Sequence, residues 1–442
     1  MNSRRSFLQR ALAFGAGAIS FNKLAGAESL SRKSKSHSTA ALESESAHIA
    51  AVPVSVVTPD IPKLPYTMDG EVKVFHLVAE PVKRELLPGR VIDAWGYNGT
   101  CPGPTIEAAQ GDRVRIVLEN RLPEPTTMHW HGLEIPNAMD GMPYISQKPI
   151  LPGERFAYEF TLHQNGTFFY HSHGAMQEMM GMMGIFVLHP QRAFAPQVDH
   201  DFGIVLQEWA LLPNNSIPNT AGMEFNWLTF NGKAGPATTP IVVPWNSRVR
   251  IRFVNLGMDH HPIHLHGHTF QVTGTEGGRK PPTTWDPGNT VLVGVAQARD
   301  IEFVADNPGD WMIHCHLPHH MMNSMMDLLS ERPISTTPLT QQQADQQMPM
   351  TMNHGKDMQM SDMHAGSKIA PNAGAVPGFP QDGFMDMAMD GVGGNKPEFM
   401  DLPRNWSVGM QGMMSLLRVM PPEQYQRYLL AKESAQPAGG AK

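Results

Sequence analysis

Short runs in which apolar and polar residues alternate recur along the chain, as in Val114-Arg-Ile-Val-Leu118 and Val249-Arg-Ile-Arg-Phe253. Successive side chains of an extended strand point to opposite faces, so such runs predict strands with one face in a core. The chain also has 38 Pro and 40 Gly, and the combination predicts an all-β protein of sandwich domains. Two regions depart from the pattern. Ala11 to Ser20 is an apolar run too short to span a bilayer. Between Trp406 and Lys432, the segments Met413-Met-Ser-Leu-Leu417 and Gln424 to Ala431 predict short helices that the sequence does not place against the domains.

Length and composition refine this outline. The 442 residues allow two domains of ordinary size plus tails. A net charge of −7 with no basic run argues against a nucleic-acid partner. Residues 1–27 read as an export signal, because Ser3-Arg-Arg-Ser-Phe-Leu-Gln9 resembles a twin-arginine motif and Ala25-Gly-Ala27 is a cleavage-type sequence. A periplasmic or secreted location without stable membrane insertion is therefore expected. Residues 28–52 hold little to bury and read as a linker. Residues 53–192 and 200–333 are the expected domains, followed by a flexible Met-rich segment at 334–398 and a last segment at 399–442. The Met-rich part includes Met348-Pro-Met-Thr-Met352 and Met358-Gln-Met-Ser-Asp-Met-His364.

The chemistry concentrates around Cys315, in His314-Cys-His-Leu-Pro-His-His-Met-Met-Asn-Ser-Met325. A second stretch, His261-Pro-Ile-His-Leu-His-Gly-His268, lies upstream. A thiolate, two imidazoles and a weakly held thioether make a blue electron-transfer copper site, and Cys315, His261, His320 and Met325 supply that set. On a strand, His314 and His316 would share one face, about 7 Å apart, with Cys315 on the other. One strand could then serve two metal sites back to back. His264 and His266 share a parity, and His261 has the opposite one. Two further pairs, His129-Trp-His131 and His171-Ser-His173, bring the His-x-His pairs to four and their imidazoles to eight, enough to divide among three further coppers. One pair alone would be weak evidence, whereas four, two of them beside Cys and Met at fixed offsets, are specific. The chain has two Cys, and an exported protein invites a disulfide. Cys315, however, is enclosed by histidines, which leaves Cys101 as a small packing thiol.

With these motifs the chain resembles the multicopper oxidases, over roughly residues 65–330. The resemblance implies two cupredoxin-like Greek-key β-sandwich domains and four coppers per subunit. One is a type 1 copper that takes electrons from substrate. The others form a trinuclear cluster that reduces dioxygen to water. It implies His129 and His264 on the type 2 copper, with His131, His171, His173, His266, His314 and His316 on the type 3 pair. Asp140, in Met-Asp-Gly, resembles a family carboxylate that assists proton delivery; otherwise it is a turn residue. Ser324 departs from the family, which usually has Gly or Ala before the axial Met325.

An internal repeat sets the expected architecture. Trp130-His131-Gly132 matches Leu265-His266-Gly267, and Thr167 to His173 matches Asp310 to His316. In this alignment Ser172, Thr126 and Gln177 stand where Cys315, His261 and His320 stand, so the first domain cannot hold a blue copper. The 87 residues from 174 to 260 leave no room for a third sandwich of about 100 residues. Two-domain relatives enclose the cluster between neighbouring subunits, which implies a homotrimer. The expected partners are dioxygen and a small reducing substrate or metal ion. The 31 Met point to cuprous ion in copper tolerance, and phenol oxidation of the laccase type is the alternative. A copper nitrite reductase would need its blue copper in the first domain. A copper carrier or store would account for the methionines but not for the complete redox chain.

Overall fold

The computed structural model describes residues 53–321 and 391–435, apart from 175, 213, 214 and 408. The expected signal and linker, Met325 and residues 334–390 of the expected Met-rich segment lie outside the described residues. The described part is strands with one α-helix, Pro422–Ala435.

The first sandwich packs a five-stranded sheet (Tyr66–Asp69, Val72–Leu87, Arg90–Tyr97, Arg113–Asn120 and Arg155–Thr161) on a four-stranded one. The second sheet runs Ile106–Ala109, Met183–His189, Gly166–Ser172, Met128–His131. Arg113–Asn120 shows why the segment is a strand: Val114, Ile116 and Leu118 are fully buried between the sheets, and the residues between them are more exposed. They join Phe75, Trp130, Tyr158, Tyr170 and Phe186 in one core.

The second sandwich places an eight-stranded sheet, built on His200–Trp209, Arg248–Asn255, Gln297–Val304 and Phe270–Thr275, against a five-stranded one. The five-stranded sheet runs Ile241–Pro244, Met414–Met420, Gly309–Cys315, His261–Leu265, Thr290–Val293. The second sandwich differs from the sequence expectation in three ways. Met414–Met420 is a strand rather than part of a short helix. It lies between two partners with every residue buried, and an uninterrupted apolar run of this kind has no periodicity to separate strand from helix. The C-terminal segment therefore belongs to the second domain, with Pro422–Ala435 as the helix expected around Gln424 to Ala431. Val56–Val57, assigned by sequence to the first domain, pairs with His200–Trp209 of the second.

The two sandwiches also pack on each other. Phe169, Met183, Ile185 and Val187, on the outer face of the four-stranded sheet, meet Val205, Val254 and Ala298 of the eight-stranded one. That sheet is thus covered on both faces. Its Arg250 and Arg252 occupy the outward positions of an alternating strand yet are buried. Arg252 satisfies itself with two bonds of 2.8 Å to Asp201 and one of 2.7 Å to Thr167 of the first domain. Arg250 bonds Glu302 at 2.7 Å. Buried charge persists only when paired and hydrogen-bonded in this way.

Candidate metal centres

Cys315 ends its strand, and His261 opens the neighbouring one, with Ile263 opposite Cys315 in the register. His320 comes from the short 3-10 turn Pro318–Met321. The three donor groups converge: Cys315 Sγ lies 3.4 Å from His320 Nδ1 and 3.8 Å from His261 Nδ1, and the two nitrogens are 3.1 Å apart. All three residues are buried. Burial pushes the Cys315 thiol up to about 12 and, helped by the nearby His261, holds His320 down to about 3. His320 is thus a neutral imidazole, whereas the thiol proton has to leave before sulfur can ligate.

A residue absent from the sequence reading fixes this geometry. Glu208, fully buried, places its carboxylate 3.2 Å from His261 Nε2 and accepts the backbone N–H groups of Met258 and Asp259. Nε2 then carries the proton, and the Nδ1 lone pair faces Cys315 and His320. Outer partners of this kind set ligand tautomer and ring orientation. The available signal was a lone carboxylate following the apolar run Ile204-Val-Leu206. Asp259 also approaches the site, 3.4 Å from His320 Nε2.

On the opposite side of the Cys315 strand, His314 and His316 join His264 and His266. Ring centroids are 5.2 Å apart for His266 and His314, 5.4 Å for His314 and His316, and 4.7 Å for His264 and His266. The first domain has a matching tetrad. His129 lies 5.6 Å from His131, 5.3 Å from His171 and 5.6 Å from His173. Gly132 and Gly267 follow the equivalent pairs at positive φ, 83° and 69°, and end the strands there.

Equivalent nitrogens are tethered equivalently. His129 Nδ1 donates to the Asp140 carbonyl at 2.8 Å and His264 Nδ1 to the Asn289 carbonyl at 2.7 Å. His171 and His314 each donate Nδ1 to the carbonyl of the following residue, at 3.0 and 2.9 Å. Each tether leaves Nε2 as the free donor. The Asp140 carboxylate stands 3.5 Å from His129 Nδ1. The turn that carries it needs Gly141 (φ 84°), where a Cβ would lie 1.7 Å from the Met128 carbonyl oxygen. Glu178 is a second unanticipated carboxyl, 3.4 Å from His171 Nδ1 and pushed up by burial to about 7. Burial also lowers His131 to about 4 and His171 to about 3, and it lowers His266 and His314. Among the described residues, no ring contact joins the two tetrads within one chain. The first opens on a cleft of about 570 Å³ that reaches Gly257 and Met258 of the second domain.

Multicopper oxidase family models match residues 80–193 and 212–335, together more than half of the chain. Copper resistance protein A of Pseudomonas syringae pv. tomato is 34% identical over 145 residues, 33% of this chain and 24% of that protein. Multicopper oxidase MmcO of Mycobacterium tuberculosis is 28% identical over 271 residues, 53% of this chain and 52% of its own length. The chain thus spans between a quarter and about half of these curated relatives. Among solved structures, a blue copper oxidase from Nitrosomonas europaea superimposes with a TM-score of 0.53 at 32% identity, over 57% of this chain and 81% of that one. The donor sets described above fit copper, with sulfur and imidazole in one pocket and imidazoles alone in the other. By its paired domain matches and its fold, the chain belongs to the multicopper oxidase family, in the two-domain, laccase-like form.

Proposed function

We propose that the protein is an oxygen-dependent oxidase that couples one-electron oxidation of a small reductant to four-electron reduction of dioxygen to water. The supporting observation is the back-to-back arrangement on one strand. Cys315 faces a buried His261 and His320, and the adjoining His314 and His316 form a histidine tetrad with His264 and His266 on the other side. Bound copper would supply one-electron redox chemistry at the Cys315 site and multi-electron dioxygen reduction at the histidines. His261, His320 and Cys315 would hold the type 1 ion. His129 and His264 would hold type 2, with the remaining six imidazoles on the type 3 pair.

The chain's own groups prepare both sites. Glu208 holds His261 in its donor tautomer, and backbone carbonyls do the same for His129, His171, His264 and His314. Asp140, beside His129, is placed to pass protons toward the first tetrad. Each tetrad alone is half of an eight-imidazole set, so the complete site would form where the first domain of one subunit meets the second domain of the next. A homotrimer closes such a ring. Export by the twin-arginine route to the periplasm or exterior accords with the N-terminal sequence.

Cuprous ion in copper tolerance is the favoured reductant. Met-rich sequence supplies soft thioethers, and copper resistance protein A is among the relatives. Phenol oxidation is the second reading, favoured by the laccases among the relatives, such as Laccase-2 of Botryotinia fuckeliana at 31% identity. The test is copper counting together with rates on both substrates. About four coppers per chain in a trimer are expected, and a fully active monomer with four coppers would disprove the shared cluster. Deleting residues 345–366 should raise the Michaelis constant for cuprous ion selectively; equal effects on both substrates, or none, would defeat the cuprous role.

A further inference from the structure

The register of the five-stranded sheet brings a second methionine to the Cys315 pocket. Gly309 to His314 pair in antiparallel order with Val419 to Met414. One step further along the ladder Cys315 stands opposite Met413, and the Cys315 N–H donates to the Met413 carbonyl at 3.0 Å. Directly opposed residues of an antiparallel pair project to the same face, with Cβ atoms about 4.5–5.5 Å apart. The Met413 N–H in turn donates to the His320 carbonyl at 2.9 Å. Met413 is therefore pinned by its backbone to two of the three residues that converge in the pocket. Its side chain is fully buried, in the same core cluster as Cys315. Gly412, at φ 60°, turns the chain into this position.

We propose that Met413, rather than Met325, supplies the axial thioether of the type 1 copper site. The proposal rests on the reading of Cys315, His261 and His320 as that site. A neutral, polarizable thioether on the same face as a thiolate and two imidazoles completes the ligand set of an electron-transfer copper. Met325 has the family spacing from Cys315 and lies outside the described residues. Met413 has the position, and it follows a glycine where Met325 follows Ser324. The assignment changes the meaning of the Met-rich stretch. Residues 348–363 would lie on a segment bounded at both ends by type 1 ligands, His320 before it and Met413 after it, and not on a free tail.

The experiment uses the full-length, copper-loaded protein and its Met413→Leu, Met413→Gln and Met325→Leu variants, read by the blue absorption, electron paramagnetic resonance and redox titration of the type 1 copper. Met413→Leu should keep the blue band and raise the reduction potential, because loss of an axial donor disfavours the oxidised ion. Met413→Gln, with an oxygen donor, should lower the potential and alter the resonance, and it decides the matter should the leucine variant fail to fold. Met325→Leu should leave both readouts unchanged. A Met325→Leu shift as large as that of either Met413 variant, or no shift in any variant, would overturn the assignment. Absence of a blue band in the copper-loaded wild type would instead refute the type 1 site itself, so the two failures are distinguishable.

Discussion

The two domains contain the same pocket with opposite contents. In the second, His261, Cys315 and His320 bring three donors together, and the pocket sulfur keeps its proton until a metal displaces it. In the first, Thr126, Ser172 and Gln177 occupy the equivalent positions, all nearly fully buried, and satisfy one another. Ser172 Oγ donates to Gln177 Oε1 at 2.5 Å, and Thr126 Oγ1 donates to the same oxygen at 2.7 Å. Gln177 Nε2 donates to Glu124 at 2.7 Å and to the Pro125 carbonyl at 2.9 Å. The backbone frame alone therefore does not make a metal site. Hydroxyls and an amide close into a hydrogen-bonded cluster, whereas His261, oriented by Glu208, and His320 turn their Nδ1 atoms toward a common centre with Cys315.

The most severe way to break this contrast is Cys315→Ser, which gives the second pocket the first pocket's residue. The intense blue absorption and steady-state oxidase activity should vanish while circular dichroism and the melting transition persist. An unchanged blue band would refute the site.

Removing the carboxylate that orients His261 should come next. Glu208→Ala leaves the Met258 and Asp259 N–H groups and His261 Nε2 without their acceptor, at a cost of roughly 3 kcal/mol. Chemical denaturation of the copper-free protein should show that loss, and the copper-loaded protein should show an altered type 1 spectrum. Unchanged stability would mean that water replaces the carboxylate.

In the first pocket, Ser172→Ala removes one hydroxyl from a closed cluster, and about 1–2 kcal/mol should be lost, with the blue band untouched. A spectral change there would show that the two pockets are coupled.

A separate test, aimed at the buried imidazoles, is acidification of the copper-free protein. His131, His171 and His320 have folded values of about 4, 3 and 3, below the unfolded value of about 6.5. Between those limits the unfolded chain binds protons that the folded one does not. Their stabilising contribution is therefore complete above pH 6.5 and declines as the pH falls toward 3. The melting temperature should fall gradually over that window, and copper loading should blunt the fall. A melting temperature flat from pH 7 to 4 would contradict the burial of these imidazoles.

Much of this protein is written locally. Strand parity separates His314 and His316 from Cys315, and the spacing of the His-x-His pairs is visible without coordinates. So is the replacement of Cys315, His261 and His320 by Ser172, Thr126 and Gln177, because residue type at a repeat position is a property of the sequence alone. Tertiary structure decided what depends on distant partners. Arg250 and Arg252 sit at outward positions of an alternating strand, yet the first sandwich packs over that face, and bonds to Asp201, Glu302, Asp300 and Thr167 make the burial tolerable. Met414–Met420 has no period from which to choose strand or helix, and the slot between Ile241–Pro244 and Gly309–Cys315 chose strand. Glu208 and Met413 reach the Cys315 pocket from 53 residues before His261 and from almost 100 after Cys315. No local spacing encodes such meetings, because sheet register sets them, and register emerges only when all the strands pack together.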